Sequence, residues 1–131
     1  MSIEFFGAQD NPSAIVIRRN ARTENIEFFS PTHFPQQIGL MSRPNGYLVP
    51  SHVHNEITRE ISLTQEVLMI RKGNCEVILY SDNSEETRIE LGVGDVILLA
   101  SGGHSIRMLE DCEILEVKQG PYLGPDDKTF L

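Results

Sequence analysis

Short runs in which apolar and polar positions alternate recur along nearly the whole chain, the period with which side chains of an extended backbone change faces. Nine segments have this form: "SAIVIRR" (13–19), "QQIGLMS" (36–42), "GYLVPSHVH" (46–54), "EVLMIRK" (66–72), "CEVILYS" (75–81), "TRIEL" (87–91), "DVILLA" (95–100), "HSIRML" (104–109) and "EILEVKQ" (113–119). All are short and rich in β-branched or aliphatic residues, so each predicts a strand. Between them stand Pro44-Asn45-Gly46, Gly73-Asn74, Asp82-Asn83-Ser84, Gly92-Val93-Gly94, Gly102-Gly103 and Glu110-Asp111. These supply the positive-φ and Asx-type positions that tight connections between antiparallel strands need. No long amphipathic helix is visible. Strands this short and regular predict an all-β sandwich or barrel, because doubling or closing a sheet is how exposed edges are removed. The less regular stretch 20–37 is expected to cover an open end or edge with Phe28, Phe29 and Phe34. The tail, 120–131, is expected to be an extended terminal arm.

Composition then narrows the class. A chain of 131 residues is about one domain long, and residues 1–131 are read as a single domain. Its formal charge of -8, from 11 basic and 19 acidic residues, repels phosphate backbones and anionic headgroups, so nucleic-acid and membrane partners are not expected. The start, "MSIEFFGAQDNPS", lacks the basic and apolar regions of a secretory signal, and the longest apolar run, "VILLA" at 96–100, is too short to span a bilayer. The expected location is cytoplasmic. Cys75 and Cys112 sit at no motif spacing and read as reduced, buried thiols.

Strand parity brings out the candidate chemistry. His52 and His54 would share a face with Leu48 and Pro50; Glu66 would share one with Leu68 and Ile70; His104 would share one with Ile106 and Met108. Imidazoles and a carboxylate heading otherwise apolar faces are costly unless something satisfies them, and an ion between them would do so. Three imidazoles and one carboxylate suit a divalent transition metal, with manganese, iron or nickel as well supported as zinc. On the opposite parity, Val49, Val53, Val67 and Met69 need covering, by a second sheet or another subunit.

In these segments the sequence resembles the cupins, whose first motif runs Gly, five residues, His-x-His, a short gap, Glu, six residues, Gly. Here Gly46, "YLVPS", His52, Val53 and His54 are followed by "NEITREISLTQ", Glu66, "VLMIRK" and Gly73. Both flanking spacings agree, while the gap is longer than the family's. Glu56 and Glu60 compete with Glu66, which is preferred for its spacing to Gly73 and its place on an apolar-parity face. The second cupin motif, Gly, five residues, Pro-x-Gly, two residues, His, three residues, Asn, corresponds to Gly94, "DVILL", Ala100, Ser101, Gly102, Gly103, His104, "SIR" and Met108. The proline and asparagine are replaced, and the approach to the histidine is one residue short.

The resemblance spans residues 37–118 and implies a jelly-roll barrel, or double-stranded β-helix, with a metal in its mouth held by His52, His54, Glu66 and His104. Function is then expected to be metal-dependent action on a small oxygen-bearing metabolite, sugar-like or carboxylated, by isomerase, epimerase or dioxygenase chemistry. The alternative is a barrel that binds or senses such a molecule without turnover. A homodimer is expected, with the N-terminal segment or the tail crossing between subunits.

Overall fold

A computed structural model describes residues 2–82 and 86–131. Ten strands account for its regular structure, apart from one short 3-10 turn at Gly124–Asp127. They are β1 (Ile3–Ala8), β2 (Asn11–Ile17), β3 (Ile26–Phe28), β4 (Gly39–Met41), β5 (Glu66–Lys72), β6 (Cys75–Tyr80), β7 (Glu86–Leu91), β8 (Val96–Leu99), β9 (Gly103–Met108) and β10 (Glu113–Lys118). A five-stranded sheet in the order β1-β2-β8-β5-β10 faces a three-stranded sheet in the order β7-β6-β9, and β3 and β4 form a separate hairpin. Every pairing is antiparallel. The chain is therefore an all-β protein, as the alternation predicts, with the architecture of a sandwich compatible with a barrel or jelly roll.

Alternation also explains where the core lies. Val16, Leu68, Ile70 and Ile97 of the larger sheet pack with Val77, Ile89 and Leu91 of the smaller, all nearly or fully buried. At roughly 1.5–3 kcal/mol for each large apolar side chain removed from water, this layer dominates what holds the sheets together. On the other face of the larger sheet, Ile15, Leu98 and Ala100 are covered by Phe34, with Phe29 and Ile38 alongside. Stretch 20–37 thus covers a sheet face, and Phe28 itself stays exposed.

The two ends of the sandwich differ. At one end the β5–β6 and β9–β10 connections cross between the sheets side by side. The Leu109 amide donates to the Asn74 carbonyl at 3.0 Å, the Cys112 thiol donates to the same carbonyl at 2.9 Å, and Asn74 Nδ2 bonds Glu110. Gly73 has φ +76°, and a Cβ there would collide with the Asp111 carbonyl, so this crossing requires glycine twice over. Arg18 adds a tie between sheets, donating to Glu4 of β1, to Asp95 and to the Glu90 carbonyl of β7. The opposite end, where β5 and β9 begin and β6 and β10 finish, carries the titratable groups.

The structure departs from the sequence reading in specific places. β1 and β3 were not among the predicted strands; β1 pairs along its whole length with β2, and its Phe6 reaches the core. The strand predicted at 36–42 is confined to Gly39–Met41, paired with β3. The strand predicted at 46–54 does not form: between β4 and β5 there is no strand, and every residue from 41 to 64 is exposed. A period of two reports which faces an extended segment offers, while a strand also needs a partner backbone, and here none is supplied. The turn within this segment is present, with the Tyr47 amide donating to the Pro44 carbonyl at 3.1 Å and Gly46 at φ +85°. The turn predicted at Asp82-Asn83-Ser84 falls partly outside the described residues. Cys75 is buried as expected, Cys112 is only partly so, and both are free thiols.

Candidate functional site

Glu66 opens β5 and His104 lies near the start of β9, one in each sheet, and both point into the space between them. His104 Nε2 and Glu66 Oε1 are 2.8 Å apart, with the Glu66 side chain 15% exposed and that of His104 33% exposed. Parity brings them together: Glu66 follows the inward direction of Leu68 and Ile70, and His104 that of Ile106. The neighbouring strand β10 places Lys118 opposite Glu66 in register and Glu116 opposite Leu68, so two further charged groups border the pair. Glu116 hydrogen-bonds Glu66. Lys118 Nζ pairs at 3.0 Å with Asp127 Oδ2 of the tail. At the same end, Tyr80 and Ser105 share a hydroxyl hydrogen bond of 2.8 Å, and the Leu131 side chain lies against Gly103.

The electrostatics of this end follow from those contacts. The hydrogen bond from His104 is the largest influence on Glu66 and holds its carboxyl down at about 2, outweighing the burial that pushes it up. Donation from Glu116 and the nearby charges of His104 and Lys118 act in the same downward sense. Glu116 is raised in return, chiefly because it is hydrogen-bonded to the Glu66 carboxylate, with burial and the charge of Glu66 adding to the rise. Within the pair, Glu66 is the carboxyl held low and Glu116 the one pushed up. Asp127 raises Lys118 through their hydrogen bond.

His52 and His54 are elsewhere. They lie side by side on the exposed segment between β4 and β5, ring centroids 5.3 Å apart, and do not join the Glu66–His104 pair. His52 Nδ1 lies 2.6 Å from the Pro50 carbonyl. Donation from Nδ1–H to that oxygen leaves Nε2 with the lone pair that a metal requires. Glu56 and Glu60, the competing carboxylates, sit on the same segment. Residues 57–63 flank residues 32–37 across an open groove of about 520 Å³ whose lining includes His33 and Arg59. Among the described residues, no three His, Cys, Asp or Glu side chains are arranged to hold a metal ion.

The Glu66–His104 half nevertheless suits such an ion. Cis ligands of an octahedral ion with bonds of about 2.1 Å stand about 3 Å apart, close to the 2.8 Å found here. Glu116 and Lys118 were missed in the sequence reading, although the parity of "EILEVKQ" carries the signal: both share a face with Ile114, which packs against the core. Comparison with family models, with curated proteins and with solved structures gave no match.

Proposed function

We propose that this chain is a cupin-type jelly-roll protein that acts on a small oxygen-bearing metabolite, sugar-like or carboxylated, at a divalent-metal site of His52, His54, Glu66 and His104. The observation carrying the proposal is the meeting of Glu66 and His104 across the two sheets, at ligand separation and at the open end. Motif spacing on either side of the intervening segment adds His52 and His54 to the set. Bound there, manganese, iron, nickel or zinc would supply Lewis-acid polarisation of substrate oxygens or, for a redox-active ion, activation of oxygen.

The chain's own groups supply the rest of the chemistry. Lys118 is already paired with Asp127, so the mouth, with Glu66 and Glu116, stays acidic, which favours a bound cation and a substrate that reaches the site through neutral or metal-ligating oxygens. The Glu116 carboxyl, next to Glu66 on the neighbouring strand and pushed up by it, is the group this reading assigns to proton exchange with a substrate oxygen. Leu68, Leu79 and Ile106 line the floor below the charged groups and keep the pair drier than bulk water, which strengthens each polar contact.

Elemental analysis of protein purified without added metal tests the reading, with about one divalent ion per chain expected and its loss expected in His104→Ala. Metal-dependent thermal shifts with diols, keto acids or sugars should follow, and turnover in a subset separates an enzyme from a sensor. A second reading rests on the same 2.8 Å contact: Glu66 orients His104 as a general base without any ion. Activity that survives complete chelation but is lost in Glu66→Gln and His104→Ala would establish it.

A further inference from the structure

Residues 42–64 are an arm that buries almost nothing. Within it Leu48 is 78% exposed, Val53 88% and Ile57 61%, and Ile61 and Leu63 are also open to solvent. A structureless loop of this length is rare in a compact domain unless it serves a function, and an apolar one is rarer still. Its first half still carries the alternation of a strand, with Leu48, Pro50, His52 and His54 on one parity. The sandwich, for its part, has a vacant place for such a strand. Among the described residues β9 pairs only with β6, which makes its other edge, beside His104, an open sheet edge.

The returning limb of the arm, residues 57–63, lies along residues 32–37, whose Phe34 belongs to the outer face of the larger sheet. Its root is fixed there too, since the Gln36 amide donates to Gln65 Oε1 at 3.3 Å. The returning limb of the arm is thus carried along the outer face, and His52 and His54 do not group with Glu66 and His104 of the same chain. We infer that the arm docks on a second copy of this chain, residues 46–54 adding to the free edge of β9, and that each metal site is completed in trans by the partner's histidine pair. Each copy has one arm and one open edge, so a reciprocal exchange closes at two copies with a twofold axis and leaves neither element unmatched. Edge addition pairs the open edge of β9 and turns the Leu48–His54 parity towards the core.

The ligand set is taken from the proposed function, so the test reads the exchange by two routes. In a Cys112→Ser background, full-length Val53→Cys and Arg107→Cys chains carrying different tags are co-expressed and treated with a short bismaleimide. A cross-link joining the two different chains is expected. A link formed only within a Val53→Cys/Arg107→Cys chain, no mixed-chain product, or a monomer by light scattering at micromolar concentration overturns the exchange. The second route counts metal in the mixed dimer of a His52→Ala/His54→Ala chain with a Glu66→Gln/His104→Ala chain. Exchange restores one complete site and one ion per dimer, whereas completion within each chain restores none. If the wild type itself carries no metal, the proposed function fails and the cross-link alone still decides the exchange.

Discussion

Glu66 and His104 meet because two period-two patterns, one in each sheet, turn them inward at the same height, and their contact makes a pH-dependent contribution to stability. Glu66 has a folded value of about 2 against 4.5 unfolded, so its stabilisation is complete above about pH 4.5 and is lost as pH falls towards 2. With the side chain mostly buried, the contribution is of order 2 kcal/mol. Glu66→Gln should therefore flatten the dependence of the urea midpoint on pH across that window, and a variant profile superimposable on the wild type would show that the contact stabilises nothing. Glu116 has the opposite sign. Its folded value is raised above 4.5, so its contribution is present below that pH and is lost as pH rises through the folded value. Glu116→Gln keeps a donor to Glu66 at every pH. The variant should melt higher than the wild type at neutral pH and show no such gain below about pH 4.5, by calorimetry at the two conditions.

Among the elements, β2 and β5 to β10 were legible from alternation and turn chemistry because each is an inner strand or packs one apolar face on the core. β5 matches its predicted bounds, since Gly73 ends it abruptly. The site was half legible for the same reason. Parity is a local property and places Glu66 and His104 correctly, whereas the pairing of 46–54 is long-range and cannot be read from its own residues. Pro50 lacks a backbone donor, which suits an edge position better than an inner one. Two substitutions separate these contributions. Gly73→Ala puts a Cβ into the Asp111 carbonyl at a positive φ, and unfolding measurements should show a loss of about 1–3 kcal/mol. His52→Ala/His54→Ala touches only exposed positions, so the protein should stay folded, with a change in metal-free stability within about 0.5 kcal/mol. Unfolding of the double variant would instead make the histidine pair structural.

At the scale of the whole molecule, the proposed docking of the arm makes its state depend on what is bound, and that dependence is open to protease. Arg59 lies in the exposed arm, on the limb beside residues 32–37, and the following Arg59–Glu60 bond presents no proline to trypsin. If His52 and His54 ligate an ion together with Glu66 and His104, the ion binds only the docked arm and lowers the population of the open, cleavable form. At a metal concentration a hundredfold above Kd, the linkage slows nicking at Arg59 by about 100-fold, provided opening and closing are fast relative to cleavage. The proposed exchange sharpens the expectation. If the arm docks on a partner's β9, dilution below the association range should speed cleavage even with metal present, while a site closed within one chain would show no concentration dependence. Mass spectrometry of early tryptic fragments, with and without chelator and across protein concentration, reads both effects from the same bond. A cleavage rate at Arg59 indifferent to the ion would detach the arm from the metal site. One indifferent to dilution through the association range, yet sensitive to the ion, would return the histidine pair to its own chain.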